Sequence, residues 1–288
     1  MNIALCLSGG TGTRLGGDIP KQYMEVGGQM LISFCLKMFS ETDKIDGIWI
    51  VAAEDWKSII EAEGKRLGYS QKILGYSFPG DNRQLSIYNG LTAIKEYISK
   101  CTNEKNEKEG GIKDEGCITK TNCATKKSCT ITENSNDVNS KAKCKPDPDD
   151  VIVVIHDAAR PNLTAEFTER LLEAIKDADG VMPVLAMKDT VYYSKDGKCV
   201  DELLERSRIY AGQAPEAYRL GKYLAANEAL LPDKILKING STEPAVLAGL
   251  KVNMICGDEN NYKVTTRADL ERFKLQVELG KNNACFNT

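Results

Sequence analysis

Ser8, Gly9, Gly10, Gly12, Arg14 and Lys21 stand together near the start of the chain, just after the apolar run at 3–7. Glycines let backbone amides approach an anion closely, and amides turned inward form a nest with partial positive charge. Gly9, Gly10, Gly12, Gly16 and Gly17 share this stretch with Arg14 and Lys21, which add full positive charges. A triphosphate is the natural guest. Two common phosphate loops do not match. A Walker loop needs a lysine followed by Ser or Thr, which is missing here. The dinucleotide pattern G-x-G-x-x-G fails at Leu15, where its third glycine belongs. An ordinary strand-to-helix turn is the bland alternative, but Arg14 and Pro20-Lys21 favour nucleotide chemistry.

The stretch Ser8-Gly9-Gly10-x-Gly12-x-Arg14 followed by Pro20-Lys21-Gln22-Tyr23 resembles the signature of cytidylyltransferases that activate sugar-alcohol phosphates. Four further segments resemble the same family in the same order. They are Gly80-Asp81-Asn82-Arg83-Gln84-Leu85-Ser86, His156-Asp157-Ala158-Ala159-Arg160-Pro161, Asp189-Thr190 and Asn261-Tyr262-Lys263-Val264-Thr265. The family's members act on 2-C-methyl-D-erythritol 4-phosphate, in isoprenoid precursor synthesis, or on ribitol 5-phosphate.

The resemblance implies that CTP and a polyol phosphate react to give a CDP-polyol and pyrophosphate. It assigns charge stabilisation at phosphorus to Arg14, Lys21 and Lys263. The nucleotide falls to Ser8, Gly9, Gly10, Gly12, Gly80, Asp81, Arg83 and Ser86. The acceptor falls to Asp157, Arg160, Thr190 and Arg206, with Asp157 also holding Mg²⁺. An acceptor phosphate is already ionised at neutral pH, so no general base is required, which suits a chain whose only histidine is His156. Methylerythritol phosphate is the first expectation for the acceptor, and ribitol phosphate or another polyol phosphate for cell-surface polymers is the second. Two segments depart from the family pattern: Gln213-Ala214-Pro215-Glu216 and Ser241-Thr242-Glu243-Pro244-Ala245. A catalytically silent nucleotide-binding homologue is a third reading, and it predicts losses at Arg14, Lys21 or Lys263, all of which are present.

These residues need a scaffold. The 288 residues carry a net charge of −3 and are 42% hydrophobic, which suits a globular protein. No apolar run approaches the ~20 residues of a membrane span. The start of the chain has no signal-peptide pattern, so the cytoplasm is expected. Without a basic patch outside the phosphate loop, nucleic acid is not an expected partner. Cys6 and Cys35 fall in apolar runs and read as small core residues.

Apolar runs at 48–51, 151–154, 180–184 and 250–255 alternate with helix-like stretches, including one capped by Thr164 and a last one after Thr266. The last carries Leu270, Phe273, Leu275 and Val277 as its expected apolar side. This order predicts an α/β fold, a Rossmann-like, mostly parallel sheet with helices on both faces, of the nucleotidyltransferase type. Ligands of such sheets bind beyond the C-terminal strand ends. One cytidylyltransferase domain is expected over 1–288.

Two segments break the alternation. Residues 101–150 are rich in Lys, Glu, Asn, Thr and Cys, contain five of the ten cysteines and lack aromatics. They read as a disordered insertion after a helix ending near Ser99, because they bury too little apolar surface to offset ordering entropy. Residues 189–208 read as a protruding hairpin with Asp196-Gly197 at its turn. The hairpin resembles the family's dimerisation arm, which implies a homodimer with arm exchange.

Overall fold

The computed structural model describes residues 1–10, 19–109 and 148–286. In chain order the strands and helices are β1 (Asn2–Leu7), β2 (Glu25–Val26), β3 (Gln29–Met30), α1 (Leu31–Glu41), β4 (Gly47–Val51), α2 (Glu54–Leu67), β5 (Ile73–Ser77) and α3 (Arg83–Glu109). After residue 147 come β6 (Ile152–Asp157), α4 (Ala165–Ala174), β7 (Gly180–Ala186), β8 (Val191–Tyr193), β9 (Glu202–Leu204), β10 (Tyr210–Gly212) and β11 (Glu216–Arg219). The chain closes with α5 (Leu220–Glu228), α6 (Glu243–Leu247), β12 (Val252–Cys256) and α7 (Arg267–Phe286).

Strands β5, β4, β1 and β6 lie side by side and parallel. β11 joins β6 to β7 and runs antiparallel to both, β10 is antiparallel to β7, and β12 is parallel to it. The sheet is therefore mostly parallel with two reversed strands. Alternation along β1 sends Ala4 and Cys6 to one face and Ile3 and Leu5 to the other. The first face packs against Ile32, Leu36 and Phe39 of α1, Ile60 of α2 and Phe167 and Leu171 of α4. The second packs against Ile87, Leu91 and Ile94 of α3 and Tyr223 and Leu224 of α5. Both faces are covered, so the central strands are apolar throughout. Cys6 and Cys35 are buried free thiols in this core.

Thr164 caps α4 as expected, its hydroxyl accepting the Phe167 amide at 3.2 Å. Three expectations need correction. The helix expected to end near Ser99 continues to Glu109; residues 101–109 are rich in Glu and Lys, which extend a nucleated helix without burial. Residues 110–147, the greater part of the expected insertion, lie outside the described residues. Leu275 is exposed, whereas Leu270 and Phe273 are buried with Val277 packed on the same cluster. At 100° per residue, positions 270, 273 and 277 share a face of α7 and 275 does not. The arm is a two-stranded hairpin of β8 and β9, but its loop spans the residues between Tyr193 and Glu202. There the Asp196 carboxylate accepts the amides of Lys198 and Cys199, and Gly197 takes φ 71°.

Candidate active site

A cavity of about 490 Å³ opens where β1 and β6 end. Its walls include Ser8, Gly9, Gly10, Lys21, Gly80, Asp81, Arg83, Ser86, Asp157 and Lys263, ten of the expected site residues drawn from four distant stretches of chain. Asp157 is the last residue of β6 and is buried. Its Oδ1 accepts from Arg83 Nε at 3.0 Å and lies 2.9 Å from Arg83 Nη2. Its Oδ2 accepts from Lys263 Nζ at 2.9 Å, with Arg160 Nε 4.0 Å away. Burial alone would raise this carboxyl, but Arg83, Lys263 and Arg160 hold it well below the usual carboxylate range. Asp157 is thus a fixed negative charge that gathers cations at the cavity wall.

The loops that carry those cations are pinned from behind. Gln22 Nε2 donates to the carbonyls of both Ser8 and Gly10 at 2.6 Å, and the Tyr23 hydroxyl lies 3.0 Å from the Ser8 carbonyl. The Tyr23 ring stacks on Trp56 with centroids 4.0 Å apart. Lys21, two residues before Tyr23, donates to the Val264 carbonyl at 2.8 Å and so joins this loop to the one bearing Lys263. That second loop is tied down in turn: Arg160 Nη1 donates to the Asn261 carbonyl, Asn261 Nδ2 to the Ala214 carbonyl, and the Val264 amide to the Ala159 carbonyl.

Gly9 sits where a Cβ would lie 2.3 Å from Pro79 Cβ, so only glycine lets the 8–10 backbone pass so close to the strand-to-helix loop before α3. Asn82 caps α3 by accepting the Leu85 amide at 2.7 Å. Ser86 donates to the Asn82 carbonyl and accepts the Gly80 amide, so its hydroxyl shapes the loop. The Ser8 hydroxyl likewise donates to the Val51 carbonyl. These two residues line the cavity with their hydroxyls engaged in the fold. Leu7, Gln22, Asn82 and Ala159 complete the wall; Gln22 and Asn82 belong to the motifs quoted above, which assign neither a role.

His156 is fully buried, its Nε2 3.0 Å from the Arg160 carbonyl and its ring edge-on to Phe39. Burial pushes it down to about 4, so it is neutral near pH 7 and braces the 156–160 turn. Thr190 and Arg206 are not brought to the cavity. Both are exposed and at the arm, where Arg206 donates to the Lys188 carbonyl at 2.6 Å. Gly12 and Arg14 lie outside the described residues. Asp157 and Asp81 are the carboxylates of the described cavity wall, and among the described residues no three acidic, His or Cys side chains gather as a metal cage.

The model of 2-C-methyl-D-erythritol 4-phosphate cytidylyltransferase matches residues 3–101 and 132–278. The chain belongs to that family. A 2-C-methyl-D-erythritol 4-phosphate cytidylyltransferase of Thermotoga neapolitana is 28% identical over 96% of this chain and 96% of its own. A ribitol-5-phosphate cytidylyltransferase of Streptococcus agalactiae is 23% identical over 99% of each. A bifunctional IspD/IspF enzyme of Paramagnetospirillum magneticum is 26% identical, and the chain spans 55% of its length. The crystal structure of a 4-diphosphocytidyl-2C-methyl-D-erythritol synthase from Anaerococcus prevotii superposes with a TM-score of 0.67 at 20% identity, covering 96% of both chains. The fold is that of the family, and the chain is a nucleotidyltransferase of the cytidylyl-transferring kind.

Proposed function

We propose that this chain transfers the cytidylyl group of CTP to 2-C-methyl-D-erythritol 4-phosphate. A phosphate oxygen of the acceptor attacks the α-phosphorus, the bond to the β-phosphate oxygen breaks, and pyrophosphate leaves. The observation that carries the reading is the convergence of Lys21, Arg83 and Lys263 on one cavity, where Arg83 and Lys263 pair with an ionised Asp157. Positioned cations stabilise the charge that builds on phosphorus without moving a proton. That agrees with a lone histidine that is buried and neutral. Lys21 and Lys263, held by pinned loops, are fixed before substrate arrives. Arg14 joins them by resemblance.

Mg²⁺ is part of the proposal. The donor set, Asp157 with Asp81 nearby, suits an ion that takes one or two carboxylates and otherwise keeps water and phosphate oxygens. When bound, it supplies further neutralisation of the phosphates. A homodimer is also proposed, supported by the exposed apolar side chains of the arm, Tyr192, Tyr193, Val200 and Leu203. Exchange of arms would bring Thr190 and Arg206 to the partner's acceptor, away from which they stand in the single chain. Residues 102–131 are proposed to lie outside the catalytic unit, since the family match omits them. A cytoplasmic location completes the proposal. Among the described residues no helix is long and apolar enough to cross a membrane.

The test is pyrophosphate release from CTP and Mg²⁺ with each of two acceptors. Preference for methylerythritol phosphate supports the reading. Preference for ribitol 5-phosphate replaces it with the second, which the nearly full-length ribitol-phosphate relative favours. Turnover with neither removes both.

A further inference from the structure

Pro20 opens a single turn of 3-10 helix over Lys21–Tyr23, in which the Tyr23 amide donates to the Pro20 carbonyl at 2.9 Å. Successive residues of such a turn point about 120° apart. Lys21 reaches across to the Val264 carbonyl, while Gln22 and Tyr23 are buried beside Ser8. Gln22 uses both hydrogens of one amino group on two carbonyls, those of Ser8 and Gly10, which stand on either side of Gly9. The Ser8 carbonyl also receives the Tyr23 hydroxyl, whose ring is stacked on Trp56. The Ser8 amide and hydroxyl both donate to the Val51 carbonyl, at 2.9 and 2.7 Å. Every polar atom of Ser8 is thereby engaged, and among the described residues Gln22 alone extends this hold to the Gly10 carbonyl.

That hold fixes more than the carbonyls. The Ser8–Gly9 peptide is trans, so its carbonyl and the Gly9 amide point opposite ways across one plane. With the carbonyl held by Gln22 and Tyr23, the Gly9 amide is turned away from both. Gly9 lines the cavity, and among the described residues nothing accepts its amide. Glycine has no Cβ to resist rotation of the peptide planes beside it. At Gly10 an added Cβ would meet nothing within 4 Å, so packing there does not stop the next plane from turning. The Gln22 amino group does. A turned plane would present a carbonyl oxygen to the ligand in place of an amide, and two oxygens repel.

We propose that Gln22 is a positioning residue for the nucleotide: by holding the Ser8 and Gly10 carbonyls it keeps the Gly9 amide turned to donate to an oxygen of CTP. This rests on the reading that CTP occupies the cavity. It gives Gln22 a task separate from the charge stabilisation by Lys21, Arg83 and Lys263, because a neutral carboxamide orients the loop without adding charge. Glutamate, of the same shape, only accepts when ionised and would repel both carbonyls.

The experiment is calorimetric titration of the full chain with CTP and, separately, with pyrophosphate, in the presence of Mg²⁺, joined to KM values from pyrophosphate release. Gln22→Met keeps the length and neutrality of the side chain and removes both donors. It is expected to weaken CTP about five- to fiftyfold and to raise the CTP KM in step, with the acceptor KM within about twofold. A merely structural role predicts that both KM values rise together. Unchanged CTP affinity in a folded Gln22→Met variant overturns the proposal, and so does a matching rise in both KM values. Should that variant not fold, Gln22→Asn takes its place, since it draws the amino group back by one methylene. CTP weakened beyond about threefold then supports the proposal, and a smaller change overturns it. The pyrophosphate arm separates the oxygens that the amide can meet. A loss shared by pyrophosphate supports a phosphate oxygen, and a loss confined to CTP supports an oxygen of the nucleoside. Absence of CTP binding by the unaltered chain would instead remove the functional reading, and this proposal with it.

Discussion

Replacing Asp157 by Asn removes the one charge on which Arg83, Lys263 and Arg160 converge, while keeping the shape of the side chain. Breaking a buried ion pair by removing one partner costs about 3–5 kcal/mol. Here the cations left behind are not fully buried: the side chains of Arg83 and Lys263 are 35% and 37% exposed. Water can resolvate them, which brings the expected loss to about 1–3 kcal/mol. At about 2–4 °C per kcal/mol for a chain of this size, the melting temperature should fall by roughly 2–12 °C at pH 7.

The pH dependence follows from the direction of the Asp157 shift. A carboxyl whose folded pKa is depressed contributes stability that is present above its unfolded value, about 3.9, and is lost as pH falls through the folded value. The gap between the unaltered chain and Asp157→Asn should therefore be constant from pH 5 to 8 and narrow below about pH 4. Thermal melts followed by circular dichroism across this range provide the assay. An Asn variant that melts with or above the unaltered chain at pH 7 would refute the reasoning, because the cations would then hold their places without a counter-charge.

His156→Gln should flatten the acid limb of stability. A buried histidine lowered to about 4 gives stability that is present above 6.5 and lost between there and pH 4, by up to about 3 kcal/mol, which denaturant melts at stepped pH would detect. Lys21→Ala should reduce turnover at least about a hundredfold with the far-ultraviolet spectrum unchanged; near-normal rates would exclude Lys21 from the chemistry. Arg206→Ala should raise the acceptor KM or lower kcat while leaving the CTP KM within about twofold, if its phosphate contact is made across a dimer. Mixing that variant with Lys21→Ala should then restore part of the activity, and no recovery would count against exchanged arms. Joining Glu109 to Pro148 through a short Gly-Ser linker should leave the pyrophosphate release rate within about threefold, since long surface connections alter closure entropy only slowly.

Much of this molecule was legible in order along the chain. The apolar run at 3–7 followed by glycines and cations announced a strand ending in a phosphate loop, and Asp157 at the end of another run announced the second wall. Thr164 announced a helix start, because capping chemistry is local. Local signals also misled. Leu275 belongs to an apolar segment yet faces water, since the helical period assigns it to the wrong side of α7. Cys101–Glu109 looked too polar to order, yet extends α3 because a helix once nucleated needs little to propagate.

The division between sequence and tertiary structure is clearest within single motifs. In Pro20-Lys21-Gln22-Tyr23 the sequence alone supplied a lysine next to a phosphate loop. Only the fold separates their roles: Gln22 and Tyr23 turn inward to hold the Ser8–Gly10 carbonyls, and Lys21 reaches the loop of Lys263. Asp157 was visible as a carboxylate after a strand, but its partners lie 74 and 106 residues away. Its charge state is a property of their convergence, since a pKa shift needs charges brought within a few ångströms and screened from water. Residue types and their spacing along a strand or helix determine local geometry and available chemistry. Which groups meet, which are buried and which charges balance is decided only when distant segments pack, because those interactions depend on distance in space.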